Sequence, residues 1–262
     1  MTRLHQLTRR LFLWELGKGA VAVAILGAGL ACGGDDESPP EASGPDGGSE
    51  PETTEPESAT EPAGDGRLVW KRASLGSVSA YVLARGREAA VVDTGLEGSE
   101  TGIGEAVTAA GLGWADVRHV IVTHKHPDHA GSLAAVLEAA TGATAWAGQA
   151  DIAAIDSPRP LQVAADEAEI FGLQIVATPG HTPGHICVFD PDTRLLVTGD
   201  GVVGKPEGVA GPSPQYTEDM TAAHASVKKL AGLDFDTLLF GHGEPIEGGA
   251  RAALESFAAT LG

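Results

Sequence analysis

The segment THKHPDHAG at residues 123–131 concentrates side chains that commonly bind metals. Four of them fall within six residues: His124, His126, Asp128 and His129. An apolar run precedes them, and because alternate residues of an extended strand point to the same side, His124 and His126 should present both imidazoles together. Imidazole and carboxylate groups are ligands for Zn²⁺ and neighbouring first-row metals. The segment therefore predicts a metal site where a strand meets a helix.

Three later segments each end an apolar run with another residue of this kind. ATPGHTPGH contains His181, LLVTGD ends at Asp200, and LLFGHGEP contains His242. Rigid strand ends can hold such ligands in place. A helix N-terminus capped by Asp128, with solvent-facing histidines, would explain the first segment alone, but it would not explain four strand ends that all deliver His or Asp.

The elements that must position these residues alternate between strand and helix patterns from Arg67 onward. Strands are predicted at Leu68–Leu75, Val78–Ala84, Ala89–Val92, His119–Thr123, Ala143–Ala147, Ile170–Ala177, Ile186–Phe189, Leu195–Thr198 and Thr237–Phe240. Helices are predicted at Thr101–Ala110, Gly131–Ala140 and Ala250–Leu261, and in a segment with Thr217 as its N-cap. Several strands are apolar throughout, which indicates sheets covered by helices and an α/β fold.

In this order, HxHxDH, PGHTPGH, TGD and GHGEP resemble the motifs of the metallo-β-lactamase superfamily, over nearly all of Arg67–Gly262. The resemblance implies a single-domain αββα sandwich, of α/β (α+β) class, with a two-metal site between its sheets. One ion would bind His124, His126 and His181, the other Asp128, His129 and His242, and Asp200 would bridge them. The implied cofactor is a pair of divalent ions, Zn²⁺ first, with Fe or Mn as alternatives.

Further residues are expected to support the ligands or the substrate. Asp93 in VVDTG matches the superfamily's early aspartate, which orients ligand side chains. His185, where the superfamily often has a small residue, is expected to lie behind the ligands or to be structural. Lys205 and Tyr216, in and beside a Gly/Pro-rich stretch, are either substrate contacts or solvated loop residues.

The resemblance also implies hydrolysis. Metal ions lower the pKa of bound water to about 7, so a hydroxide bridging two ions can form at neutral pH. One ion would also polarise the oxygen of a scissile carbonyl or phosphoryl group. Two divalent ions outweigh the charges of Asp128, Asp200 and one hydroxide, which favours an anion or a polarised carbonyl in the cleft. Asp128 is the candidate catalytic residue, which would orient the nucleophile or shuttle a proton.

The seven-ligand set most resembles hydroxyacylglutathione hydrolases and acyl-homoserine lactonases, which predicts hydrolysis of a small ester, thioester or lactone. β-Lactamase types fit less well, because one has cysteine in place of Asp200 and another typically lacks the bridging aspartate. Only 20 residues follow His242, so the glutathione-binding helical domain of glyoxalase II is not expected. The alternatives are a mononuclear iron oxidoreductase of the persulfide-dioxygenase type, a β-lactamase-type amide hydrolase, and a non-catalytic, metal-dependent binding protein on the cell surface.

Residues 1–31 are typical of an export signal. Arg9 and Arg10 resemble a twin-arginine motif, and the apolar run Ala20–Ala31 is too short to span a bilayer as a permanent helix. Cys32 follows, as in bacterial and archaeal lipoproteins, although Gly29 stands where those proteins usually carry an aliphatic residue and would equally suit ordinary cleavage. The sequence therefore predicts an exported protein that is attached to the cell membrane by a lipid on Cys32.

Residues 32–66 are predicted to be a disordered acidic tether that precedes the domain at residues 67–262. Residues 33–66 contain 11 Asp and Glu and no Lys or Arg, with too little apolar surface to offset the entropy of ordering. The net charge of −19 argues against a nucleic-acid partner, since phosphate binding needs clustered Lys and Arg. A small-molecule substrate is expected, and the sequence leaves the oligomeric state open. Cys187 is predicted to be a buried core residue without a disulfide.

Overall fold

The computed structural model describes residues 66–261. The strands are Val69–Leu75 (β1), Val78–Arg85 (β2), Glu88–Val92 (β3), Val117–Val122 (β4), Thr144–Ala147 (β5), Gln162–Val163 (β6), Glu169–Ile170 (β7), Leu173–Ala177 (β8), Ile186–Asp190 (β9), Leu195–Val197 (β10), Val203–Lys205 (β11), Gly208–Ala210 (β12), Thr237–Leu239 (β13) and Ile246–Glu247 (β14). The helices are Glu100–Ala109 (α1), Pro127–Ala130 (α2), Leu133–Ala139 (α3), Met220–Ala231 (α4) and Ala250–Ala258 (α5), with 3₁₀ turns at Trp114–Asp116 and Ile152–Ala154.

The export signal, Cys32 and nearly all of the tether predicted from the sequence lie outside the described residues. Among residues 66–261, no helix combines the length and the apolar character needed to cross a membrane.

Most of the strands form two six-stranded mixed sheets. The first has the order β1-β2-β3-β4-β5-β6, and its strands are parallel from β3 onward. The second has the order β14-β13-β10-β9-β8-β7, in which β10 and β13 are parallel. The sheets are joined at one edge by backbone hydrogen bonds from Ile186 N to Thr123 O and from Ser79 N to Gly241 O, each 2.9 Å long. The loops that follow β4, β10 and β13 therefore lie close together.

Three apolar layers hold the sandwich together. Between the sheets, Leu83, Val92 and Ile121 belong to one cluster with Ile175, Val188 and Leu239. Helices α1 and α3 pack on the first sheet, and α4 and α5 pack on the second. Successive strand residues such as Val82 and Leu83 are both fully buried, because one faces a helix and the other faces the opposite sheet. This explains the continuously apolar strands, and the predicted αββα sandwich is confirmed.

Three predicted elements differ in the structure. The predicted strand Ile170–Ala177 is a hairpin of β7 and β8, because Phe171 and Gly172 adopt φ of 60° and 70° and form a tight turn. The predicted helix Gly131–Ala140 is shorter, since the single turn of α2 precedes α3 as a separate element. The N-cap of α4 is Asp219, whose carboxylate accepts a hydrogen bond from Ala222 N, and the prediction of Thr217 as the cap is wrong.

Candidate metal centre

Three histidines form a first cluster at the edge where the two sheets meet. His124 and His126 follow β4, and His181 lies in the loop between β8 and β9. His126 Nδ1 lies 3.1 Å from His124 Nε2 and 3.0 Å from His181 Nε2. The structure thus brings together imidazole rings from loops that follow strands of two different sheets.

A second cluster adjoins the first and contains Asp128 and His129 on α2 and His242 after β13. His242 Nε2 lies 3.2 Å from Asp128 Oδ2, and His129 Nε2 lies 3.9 Å from the same oxygen. Asp200, after β10, touches both clusters. Its Oδ1 lies 3.2 Å from His129 Nε2, and its Oδ2 lies 3.3 Å from His242 Nε2 and 3.5 Å from His181 Nε2. All seven side chains named from the sequence therefore form one continuous group.

This group fits divalent metal ions. The separations of 3.0 and 3.1 Å between histidine nitrogens are close to the edge, about 3.4 Å, of a tetrahedron with metal–nitrogen bonds of about 2.1 Å. His129 Nε2 and Asp200 Oδ1 are buried and have no hydrogen-bond partner of acceptable geometry, which costs about 1–3 kcal/mol for each atom. A cation between them would satisfy both atoms. Three sets of His and Asp donors, which share members, are close enough together to hold ions.

Hydrogen bonds behind the rings determine which nitrogen faces the second cluster. His129 Nδ1 donates to Asp93 Oδ2 at 2.8 Å, and His242 Nδ1 donates to the carbonyl oxygen of Ser77 at 2.7 Å. An ionised carboxylate and a carbonyl have no proton to give, so Nδ1 carries the hydrogen in both rings. Nε2 is therefore the nitrogen that faces the site in each ring, and it presents a lone pair to a metal once it carries no proton.

Two threonines act in the same way at the first cluster. The Thr123 hydroxyl donates its one hydrogen to Asp93 Oδ2. It must therefore accept a hydrogen bond from His124 Nδ1, which lies 3.1 Å away. Thr217 Oγ1 donates to a backbone carbonyl and so accepts from His181 Nδ1 at 3.1 Å. Thr217, which the sequence suggested as a helix cap, instead fixes the orientation of a candidate ligand.

His185 lies behind Asp200. Its Nε2 accepts a hydrogen bond from the Asp200 amide at 3.2 Å, and Nδ1 therefore donates to Thr178 Oγ1 at 2.8 Å. Burial lowers the pKa of His185 to about 3, so this ring is neutral at pH 7. Cys187 contacts the same hydroxyl and is fully buried, as predicted, and burial raises the pKa of its thiol to about 12. His185 thus supports the backbone that carries Asp200.

Asp151 belongs to the site, although the sequence did not predict it. It follows β5 and is 0% exposed. Its carboxylate accepts three hydrogen bonds, from Lys125 N at 3.0 Å, Thr182 Oγ1 at 2.5 Å and Gly184 N at 2.8 Å. These bonds join the two loops that carry the histidines of the first cluster. Its context, GQADI, does not distinguish it from an exposed loop carboxylate, because the partners lie 26 to 33 residues away.

Gly241 lets the second cluster close. A Cβ atom at this position would lie 2.4 Å from Asp200 Oδ1 and 2.6 Å from His129 Cε1, closer than real Cβ atoms approach other atoms. The glycine before His242 is therefore required by the close approach of its neighbours.

The two clusters differ in their affinity for protons. Hydrogen bonding, to Asp128 above all, raises the pKa of His242 to about 10. Burial alone would lower the pKa of His129, but neighbouring carboxylates raise it well above its usual value. In the first cluster, burial lowers the pKa of His181 to about 4 and that of His124 well below its usual value. The second cluster therefore holds protons that a cation would have to displace, whereas His124 and His181 are neutral.

The site opens into a cleft of about 830 Å³, a size typical of small-molecule sites. Members of the second cluster line the cleft together with Val203, Lys205, Pro212, Pro214 and Tyr216. Strand β11 forms part of this lining, and Gly204 N donates to the carbonyl oxygen of His242 at 2.9 Å, which holds the strand beside the second cluster. Both Lys205 and Tyr216 are thus on the cleft, and Tyr216 is 61% exposed.

The profile of the metallo-β-lactamase superfamily matches residues 73–242, which include all seven side chains of the group. The chain belongs to the metallo-β-lactamase superfamily. A crystal structure of a metallo-β-lactamase family protein from Thermus thermophilus matches with a TM-score of 0.60, 22% identity, and coverage of 74% of this chain and 78% of that chain. At this identity the likeness concerns the fold alone. The resemblance that the sequence motifs indicated is therefore confirmed at the level of the superfamily.

Two curated relatives of this superfamily member are named as hydrolases. The thioesterase pkgB of Emericella nidulans is 31% identical over 135 residues, which are 50% of this chain and 35% of the relative. A hydroxyacylglutathione hydrolase of Cereibacter sphaeroides is 31% identical over 152 residues, which are 57% of this chain and 54% of the relative. The chain thus spans about half, or less, of the length of these relatives.

Proposed function

We propose that this protein is a metal-dependent hydrolase that cleaves a small ester, thioester or lactone. The observation that carries the proposal is the convergence of the two clusters on Asp200 beside an open cleft. A structural metal site is closed by protein ligands, whereas a catalytic site keeps a position open. The side chains of Asp128 and His242 are 33% and 31% exposed and line the cleft, which leaves room for water and substrate.

The proposed cofactor is a pair of divalent ions, with Zn²⁺ as the first choice and Fe or Mn as alternatives that accept the same donors. We assign one ion to His124, His126 and His181, the other to Asp128, His129 and His242, and Asp200 to both. The support for this assignment is that Asp200 contacts residues of both clusters, while hydrogen bonds behind four of the rings direct Nε2 to the site.

When bound, such ions would lower the pKa of water enough to supply hydroxide at neutral pH and would polarise an acyl oxygen. Among the chain's own groups, Asp128 is the candidate for proton transfer. Hydrogen bonding to His242 lowers the pKa of Asp128, which keeps the carboxylate ionised at neutral pH. Because it lines the cleft, Asp128 can orient the attacking water or carry its proton to the leaving group.

The proposed substrate is a small acyl compound. A thioester is favoured by the names of the two relatives, thioesterase and hydroxyacylglutathione hydrolase. Lys205 and Tyr216 are proposed substrate contacts, because they line the cleft beside the second cluster. Among residues 66–261, no carboxylate pairs with Lys205, so its ammonium group is available to a substrate.

The experiment is a substrate panel tested with protein of known metal content. The full-length chain is stripped with a chelator, reloaded with Zn²⁺, and assayed with thioester, ester, lactone, β-lactam and phosphodiester substrates. We expect the reloaded protein, and not the stripped protein, to hydrolyse at least one thioester, ester or lactone. If fully metallated protein turns over none of them, the proposal is wrong. One iron per chain together with oxygen uptake on a persulfide would support the oxygenase alternative instead.

We also propose that the protein is exported and attached to the cell membrane through Cys32. The support is the order of twin-arginine-like motif, apolar run, cysteine and acidic tether along residues 1–66. In a bacterial host that lipidates exported proteins, the full chain should fractionate with membranes, and Cys32→Ser should shift it to the soluble fraction. Equal distribution of the two proteins would refute the lipid attachment, and retention of both in the cytoplasm would refute export.

A further inference from the structure

Asp151 is a buried carboxylate outside the two clusters, and we propose that it is a positioning residue for the first metal site. Its contacts would hold the three histidines of that cluster in metal-binding geometry. This inference rests on the proposed function, because it presumes that the first cluster binds an ion. Asp151 itself lies in none of the sets of side chains that are close enough to share an ion.

Each hydrogen-bond donor to Asp151 is close in the chain to a proposed ligand. Lys125, whose amide donates to Oδ2, stands between the two histidines that follow β4. Thr182, whose hydroxyl donates to the same oxygen, directly follows His181. Gly184 donates to Oδ1 from the same loop. A single carboxylate therefore fixes the distance between both loops that supply the first cluster.

The backbone around Asp151 is packed too closely to move independently of these loops. A Cβ atom on Gly184 would lie 2.4 Å from the amide nitrogen of Asp151, and one on Gly148 would lie 1.9 Å from the carbonyl oxygen of Gly184. Next to this contact, Ile186 N donates to Thr123 O and joins the ends of the two sheets. A shift of the Asp151 carboxylate would therefore displace the loop of His181 relative to β4.

The charge of Asp151 matters because an uncharged side chain of the same shape cannot make the same bonds. In Asp151→Asn one oxygen is replaced by an NH₂ group, which donates hydrogen bonds and does not accept them. In one amide orientation this group would face Gly184 N, and in the other it would face Lys125 N. Either way one buried backbone amide loses its acceptor. The loop that contains that amide would then be free to shift.

The test measures metal affinity and does not depend on turnover. Zn²⁺ dissociation constants of the full-length protein are determined by competition with a chromophoric chelator, and Co²⁺ absorption spectra assign each constant to a cluster. Asp151→Asn should weaken binding at the first cluster by about 10- to 100-fold, the usual cost of removing a group that orients metal ligands. Binding at the second cluster should be unchanged. Failure of the hydrolase proposal would be seen separately, in the substrate panel.

Asp190→Asn is the matched control. Asp190 is also 0% exposed, and its Oδ1 accepts a hydrogen bond from Arg85 Nη2 at 2.6 Å, at the end of β9 farther from His181. Loss of this partly buried ion pair should lower the melting temperature and leave both affinities as in the wild type. Wild-type affinity at the first cluster in Asp151→Asn, or an equal loss in both variants, overturns the proposal.

Thr182→Val provides a second variant in case Asp151→Asn does not fold. It removes one donor to Asp151 and keeps the shape of the side chain. The loss of one hydrogen bond should weaken Zn²⁺ binding at the first cluster by about three- to tenfold. An affinity within the error of the wild-type value in Thr182→Val would overturn the proposal as well.

Discussion

Asp93 Oδ2 lies 2.8 Å from His129 Nδ1, and this contact orients a ring whose other nitrogen faces Asp200. The second oxygen of Asp93 accepts a hydrogen bond from Thr123 N at 2.7 Å. Asp93 has a φ of 64°, a left-handed conformation that Asp and Asn adopt more readily than most residues. One buried carboxylate thus links the ends of β3 and β4 to α2.

Asp93→Asn is expected to weaken Zn²⁺ binding at the second cluster by about 10- to 100-fold. The amide keeps the shape and tolerates the φ of Asp93, but it cannot accept from both Thr123 N and His129 Nδ1. Chelator competition with the variant and with Asp192→Asn, an exposed control, measures the effect. Equal second-site affinity in the two variants would show that the contact between Asp93 and His129 does not orient a ligand.

Gly241→Ala is expected to lower kcat/KM by about 100-fold or more, because the added methyl group would displace Asp200 and His129 from each other. Gly142→Ala is the control, since a Cβ atom there would lie 3.7 Å from its nearest neighbour. Steady-state kinetics with the best substrate of the panel, together with metal content, measure the effect. Wild-type kinetics in Gly241→Ala would contradict the packing described around the second cluster.

Metal binding at the second cluster is expected to depend on pH. In the metal-free protein the pKa of His242 is raised to about 10, so this ring is protonated at pH 7 and must lose its proton to bind metal. Affinity should therefore rise with pH, by about tenfold per pH unit for each proton displaced. His181, with a pKa lowered to about 4, should impose no such dependence near neutrality.

Calorimetric titrations in buffers of different ionisation enthalpy would count the released protons. Most of the protons should appear with the ion that fills the second cluster. A second-site affinity that stays constant from about pH 6 to 8, the range in which histidines usually titrate, would contradict the protonation of His242.

Asp128→Asn is expected to lower kcat by about 10²- to 10⁴-fold in protein that carries its full metal content, because the amide cannot take up a proton. The assay therefore needs saturating Zn²⁺ and a metal analysis of the same sample. Activity that survives at full occupancy would remove Asp128 from the proton-transfer role and leave it only as a candidate ligand.

The clustering of the candidate ligands could be predicted because each of the four segments that contain them follows an apolar strand. His124 and His126 are also two residues apart, a spacing that has a direct meaning in an extended chain. The strand order brings the ends of β4, β10 and β13 together. The apolar pattern predicted the strands themselves, but it did not predict their order in the sheets.

The residues that were missed act through contacts that are distant in the sequence. Asp151 contacts backbone amides 26 and 33 residues away, and no local pattern marks such a contact. Thr217 is a residue type that often caps helices, but its hydroxyl forms a hydrogen bond with His181 Nδ1. Asp219 caps α4 instead. At Phe171, an apolar residue with a positive φ breaks what looked like one strand.

The proposal of a metal-dependent hydrolase can be tested by titrating Zn²⁺ into the metal-stripped, full-length protein and following hydrolysis of a thioester at each addition. We expect no turnover without metal and maximal turnover when two ions are bound per chain. Turnover that persists in the stripped protein would contradict it. So would a two-ion protein that is inactive toward thioesters, esters and lactones alike.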